Sequence, residues 1–151
     1  LDKVGIAIPA RRLHMMRLLR TGLLVVSLAL LGMAAQEMKE NKTVATLGPD
    51  GIQRVDVIGG SYYFDPDVIV LKVNVPVELK VKKAGGATPH SIACRAAEAG
   101  IDFSVSLKAE PRIIKFTPTK VGTYAFWCTK KFLFLKSHKA HGMTGTFEVV
   151  E

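Results

Sequence analysis

From Ile52 to the end of the chain, apolar side chains recur at every second position in short runs, and Gly, Pro and Asp break the runs apart. The pattern is cleanest in "VPVELKVKK", where Val75, Val77, Leu79 and Val81 share one face and Glu78, Lys80 and Lys82 the other. A period of two rich in β-branched residues predicts a strand with one buried face. The same signal predicts strands at Val55, Val57 and Ile58, in "SYYF", and in "DVIVLKV" after the Asp65-Pro66 turn. It recurs in "HSIAC", "DFSVSLK", "RIIKFTP", "GTYAFWC" and "TGTFEVVE", and only "CRAAEAGI" has room for a helical turn. About eight short strands with turn signals between them predict an all-β fold, a Greek-key antiparallel β-sandwich.

Upstream of this domain the pattern changes twice. Residues 1–35 contain "MMRLLRTGLLVVSLALLGMAA", in which Arg17 and Arg20 precede an apolar run that ends in small residues. Basic residues, a short apolar run and then alanines predict a cleaved secretion signal, with translation starting at Met15 or Met16. The run falls short of the roughly 20 residues that span a bilayer, so an uncleaved anchor is the less favoured alternative. Residues 36–51 are polar and irregular and predict a flexible tether, which leaves 52–151 as the folded domain. Export implies a periplasmic or other oxidising compartment.

Charge changes the picture little. The net charge of +8 suggests nucleic acid at first sight, but residues 1–35 hold five basic groups against one acid, leaving 16 basic and 12 acidic residues in 36–151. No run of five or more like charges and no stacking-aromatic motif accompanies that mild excess, which argues against a nucleic-acid partner.

The chemistry concentrates near the C terminus. "WCTKKFLFLKSHKAHGM", Trp127 to Met143, holds one of two cysteines, two of four histidines and a methionine. His90 stands in "GGATPHSIAC", delivered by a glycine-rich loop to the start of a strand, and Cys128 ends the strand "GTYAFWC". Strand ends at one pole of a sandwich bring such residues together. A thiolate and two imidazoles with a weak axial thioether form the ligand set of an electron-transfer copper site.

From Ser61 to Glu151 the chain resembles the cupredoxins, small blue copper proteins of the plastocyanin and azurin type. "YYFDPDVIVLKVNVPVELKVKK" resembles the family's leading strands, "PHS" its first-histidine motif, and "GTYAFWC" followed by histidine and "GM-x-G" its C-terminal ligand loop. The resemblance implies one type 1 copper ion with His90, Cys128 and His138 as equatorial ligands and Met143 as axial ligand. The spacing His138-x4-Met143 matches the plastocyanin pattern and selects His138 over His141. The interval Cys128-x9-His138 departs from it, being much longer than in plastocyanin and nearer to the loops of copper nitrite reductases. Ser91 and Thr129, each directly after a ligand, resemble the polar pair that ties the family's two ligand loops together, the alternative being ordinary surface hydroxyls.

Cys94 lies four residues along the strand from His90, about 13 Å at strand rise. A disulfide needs Cα atoms within about 7 Å, so a bridge to Cys128 is disfavoured and a buried free thiol expected. The insert "TKKFLFLKS" places Lys130, Lys131 and Lys136 around Phe132 and Phe134. It is either a structural excursion packed on the sandwich or a docking patch for an acidic redox partner such as a cytochrome or oxidase domain. Taken together, these features predict an exported, monomeric, non-enzymatic carrier of single electrons between redox proteins. The alternatives are a periplasmic copper-binding or delivery protein and an accessory copper domain of a respiratory oxidase system.

Overall fold

The computed structural model describes residues 41–131 and 136–151. The secretion signal expected in residues 1–35, and Phe132 and Phe134 of the insert, lie outside the described residues.

Among the described residues, eleven strands form two sheets. They are β1 (Lys42–Val44), β2 (Thr46–Leu47), β3 (Gln53–Gly60), β4 (Tyr63–Asp65), β5 (Val68–Lys72), β6 (Val77–Lys83), β7 (Ser91–Ala96), β8 (Ile101–Ser106), β9 (Arg112–Phe116), β10 (Gly122–Trp127) and β11 (Thr144–Val150). One sheet has the order β1-β5-β11-β10-β7-β8, and the other β2-β3-β6-β9 with β4 paired to β3. The expected helical turn in "CRAAEAGI" is a 3-10 turn, Ala97–Ala99, closed by Gly100 in the left-handed region.

The sandwich expected from the sequence is present, with two differences. Both sheets are mixed rather than purely antiparallel, because β1 with β5, β5 with β11, and β3 with β6 all pair in parallel. The chain repeatedly crosses from one sheet to the other, so several neighbours in a sheet are not joined by hairpins. Within the expected tether of residues 36–51, Lys42–Val44 and Thr46–Leu47 are strands. They bury no apolar face; β1 is held through its backbone, with Ala45 N–H donating to Val70 O at 3.0 Å and Asn41 N–H to the Asp67 carboxylate at 2.8 Å. Pairing of this kind leaves no alternating pattern to read.

The core lies between the sheets. Val55, Val57, Val77, Leu79, Val81 and Ile114 face Ile69, Leu71, Ile92, Ile101, Phe147 and Val149. An aromatic chain runs through it: Phe103 to Phe116 at 5.6 Å between centroids, Phe116 to Phe147 at 5.7 Å, Phe147 to Phe126 at 4.7 Å and Phe126 to Phe64 at 5.1 Å. These separations fall in the range of favourable edge and offset contacts. Gln53, buried at the far end, is fully used: its amide donates to Lys72 O and Val75 O and accepts from Lys72 N–H. Among the described residues no buried side-chain N or O lacks a partner.

Strand direction sets where function can sit. β3, β6, β8 and β10 end, and β4, β7, β9 and β11 begin, at the same pole. The connections at 61–62, 84–90, 107–111 and 128–143 therefore gather there.

Gly145 on β11 pairs with Phe126, and a Cβ at this position would stand 2.2 Å from the Phe126 ring and 2.6 Å from Asp67 O. Phe126 is backed by Phe64 and Phe147, and Asp67 O is fixed by Thr146 N–H at 2.7 Å, so neither neighbour can yield cheaply. Gly145→Ala is expected to lower unfolding free energy by about 1–3 kcal/mol in urea melts, and an unchanged midpoint would show that the ring moves freely.

Candidate metal centre

His90, Cys128 and His138 meet at this pole. Their donor atoms all lie within 4.8 Å of one another, and all three residues are buried. Three different segments deliver them. His90 leads into β7, Cys128 follows β10, and His138 begins a 3-10 turn, Lys139–His141, that returns the chain to β11.

The β7–β10 ladder sets the first two. Cys94 pairs with Phe126 and Ala93 with Trp127, which carries Cys128 toward the start of β7. Ser91 then locks the loops together: its hydroxyl lies 2.8 Å from the Thr129 hydroxyl and accepts from Thr129 N–H at 2.9 Å. Ser91 and Thr129 thus form the tie that the sequence suggested rather than two independent surface hydroxyls. Backbone N–H groups of Ser91 (3.4 Å) and Lys130 (3.5 Å) both point at the Cys128 sulfur, and N–H donors stabilise negative charge on sulfur. The Lys130 contact is not legible in the sequence, because it depends on the backbone turning sharply after Cys128.

The long interval between Cys128 and His138 closes on itself. His138 N–H donates to Lys130 O at 3.0 Å, and Lys131 and Ser137 form an antiparallel bridge. The chain leaves and returns through this pinched base. The distance between the two ligand-type residues is therefore set by the base and not by the number of residues inserted. Of the three lysines, Lys131 and Lys136 are exposed and Lys130 is half-buried.

His138 Nδ1 lies 3.2 Å from His90 Nδ1 and 3.5 Å from the Cys128 sulfur. Donor atoms this close are spaced as in groups that share one ion at about 2 Å from each. Burial first, then the electrostatic effects of His138 and Lys83, push the His90 imidazole below its ordinary value. A buried soft sulfur with two imidazoles therefore fits a metal of the copper or zinc type. Met143 is fully buried and is tied to both other loop residues, its carbonyl accepting from Cys128 N–H at 3.1 Å and its N–H donating to His138 O at 3.0 Å. Its terminal methyl would stand 3.3 Å from a Cβ on Gly59, so glycine at the end of β3 leaves the thioether its space.

The other histidine of the loop behaves differently: His141 is exposed and outside the cluster. Tyr62, which the sequence gave no reason to single out, lies against both. Its ring centroid is 5.2 Å from that of His138 and 4.7 Å from that of His141. In the same turn, Lys139 Nζ sits 4.2 Å over the Trp127 ring.

Cys94 and Cys128 are both free thiols. Cys94 packs in the core on β7, and burial pushes its thiol up to about 11 from an ordinary 9.0. A raised folded-state value means that the unfolded chain loses this proton first, so stability is full below pH 9 and falls as pH rises toward 11. Cys94→Ala is expected to flatten that alkaline loss in denaturant melts taken at pH 8 and pH 10.5. An identical loss in the variant would assign it to other groups.

No known sequence family matches the chain, and no curated protein does. Solved structures do. The metal-binding domain of the Cu(I)-exporting P-type ATPase CopA of Streptococcus pneumoniae D39 is 21% identical, with a TM-score of 0.57, over 74% of this chain and 98% of that one. Auracyanin from Roseiflexus castenholzii is 21% identical, with a TM-score of 0.53, over 65% and 97%. The periplasmic domain of cytochrome oxidase subunit II of Bradyrhizobium japonicum is 18% identical, with a TM-score of 0.50, over 65% and 83%. With its two mixed sheets and the ligand-type residues gathered at one pole, the chain has a cupredoxin-like fold.

Proposed function

We propose that this protein carries single electrons between redox proteins through one copper ion, held by His90, Cys128 and His138 with Met143 as axial ligand. The observation that carries this reading is the buried set of one thiol and two imidazoles on a cupredoxin-like fold. Copper bound to such donors supplies a Cu(II)/Cu(I) couple in a geometry between the preferences of the two states.

The chain's own residues have definite parts in this. Ser91 and Lys130 N–H groups point at the Cys128 sulfur and hold it in place, and the Ser91–Thr129 tie keeps the two loops from separating. Burial of His90 and His138 excludes water from the donors. A centre whose donors would all come from the protein suits a carrier rather than an enzyme. The Chloroflexus aurantiacus structural neighbour auracyanin A, described as a "blue" copper protein, supports the same reading. A second reading, in which these residues bind Cu(I) for delivery, draws on the CopA domain, solved with Cu(I). The oxidase subunit II neighbour, a periplasmic domain, favours an exported location and a respiratory partner.

Cu(II) added to the protein is expected to give an intense sulfur-to-copper absorption. Cys128→Ser should abolish it and Cys94→Ser should leave it; His138→Ala should destroy or grossly alter it and His141→Ala should change it little. Stoichiometric Cu(I) binding without any Cu(II) band would favour delivery instead.

Docking is proposed at the insert. Lys130, Lys131 and Lys136 steer an acidic cytochrome or oxidase domain. Attraction between exposed charges is screened beyond about 8 Å at physiological ionic strength. Changing the three lysines to glutamine should therefore slow association with an acidic cytochrome and flatten its salt dependence while the absorption spectrum stays the same. Wild-type rates and salt slope in that variant would make the insert structural.

A further inference from the structure

We propose that Tyr62 caps the metal centre: its ring lies edge-on to the His138 imidazole, fixes that ring, and keeps water and small anions away from the ligand atoms. This rests on the copper reading above, and it concerns a residue outside the ligand set.

Three observations carry it. The first is a contrast in exposure: His138 is only 3% exposed, whereas Tyr62 is 44% exposed. The aromatic ring is therefore surface that stands where a ligand imidazole would otherwise meet solvent. Its plane is turned 87° from that of His138 at 5.2 Å, an edge-to-face contact that restricts rotation of the imidazole. On its far side it meets His141 at 4.7 Å and 38°, so the one ring rests against both imidazoles of the same 3-10 turn.

The second observation is backbone conformation. Tyr62 has φ 67°, the left-handed region, in the short connection between β3 and β4. A bulky residue is uncommon there, and glycine takes it at no steric cost. A strained conformation persists where the surroundings over-determine it, and such positions cluster at functional sites. Tyrosine at this position costs the turn something that its contact with the histidines offsets.

The third is that the same turn has a second, independent contact. Lys139 Nζ lies 4.2 Å over the Trp127 ring, on the strand before Cys128. The segment that presents His138 thus meets both Tyr62, from the β3–β4 turn, and Trp127, from β10. Removing Tyr62 leaves the second contact in place, so the fold and the ligand residues remain while the imidazole gains motion and access.

Tyr62→Gly and Tyr62→Phe test this in the full chain. Glycine relieves the left-handed conformation, so the variant is expected to melt no lower than the protein with tyrosine. In the metal-free protein, ring protons of His138 are expected to carry an aromatic ring-current shift in proton NMR that Tyr62→Gly loses and Tyr62→Phe keeps. In the Cu(II)-loaded protein, azide titrated against the sulfur-to-copper band is expected to perturb Tyr62→Gly at a concentration about tenfold or more lower than the wild type, with copper release to a chelator accelerated to a similar degree. Tyr62→Phe is expected to restore both. If Tyr62→Gly resists azide and holds copper as the wild type does, the cap is refuted. If the wild-type protein forms no Cu(II) band at all, the copper reading fails, and the NMR comparison alone then decides whether Tyr62 holds His138.

Discussion

Everything at the ligand pole depends on one short ladder. Strands β7 and β10 are paired only through Ala93 with Trp127 and Cys94 with Phe126. That register directs His90, which precedes β7, and Cys128, which follows β10, toward each other. Beyond the last backbone pair, Ser91 takes over the connection through its contacts with Thr129 and with the Cys128 sulfur. A slip of one residue would turn Cys128 to the opposite face of the sheet and leave its sulfur without the N–H groups that now point at it.

The same strand couples the centre to the core. Phe126 alternates inward from Trp127 and packs between Phe64 and Phe147, with Gly145 beneath its ring. Phe64 in turn lies beside Gly59, whose missing Cβ makes room for the methyl of Met143 and for Leu107. Aromatic packing in the sandwich therefore reaches Gly59, the position beside which the Met143 methyl is seated.

The long ligand loop shows how such a site tolerates insertion. Its base is closed by the His138–Lys130 hydrogen bond and the Lys131–Ser137 bridge, so residues beyond the base do not alter the separation of Cys128 and His138.

The sequence by itself determined the sandwich, most of its strands, and the residue types gathered at one pole, because alternating burial and donor chemistry are both written in local order. Val77, Leu79 and Val81 are buried as their alternation requires, and His90 and Cys128 stand at strand ends where turn signals place them. Tertiary structure decided what local order cannot encode. β1 is held against β5, a strand distant in sequence, β2 pairs with its neighbour β3 without an apolar face of its own, and the parallel pairings follow from the chain's crossings between sheets. The spacing to Met143 favours His138 over His141, and the seating of one 3-10 turn is what buries the first and exposes the second. Tyr62 reaches that turn from another part of the chain, and contacts across such separations leave no periodic trace in sequence.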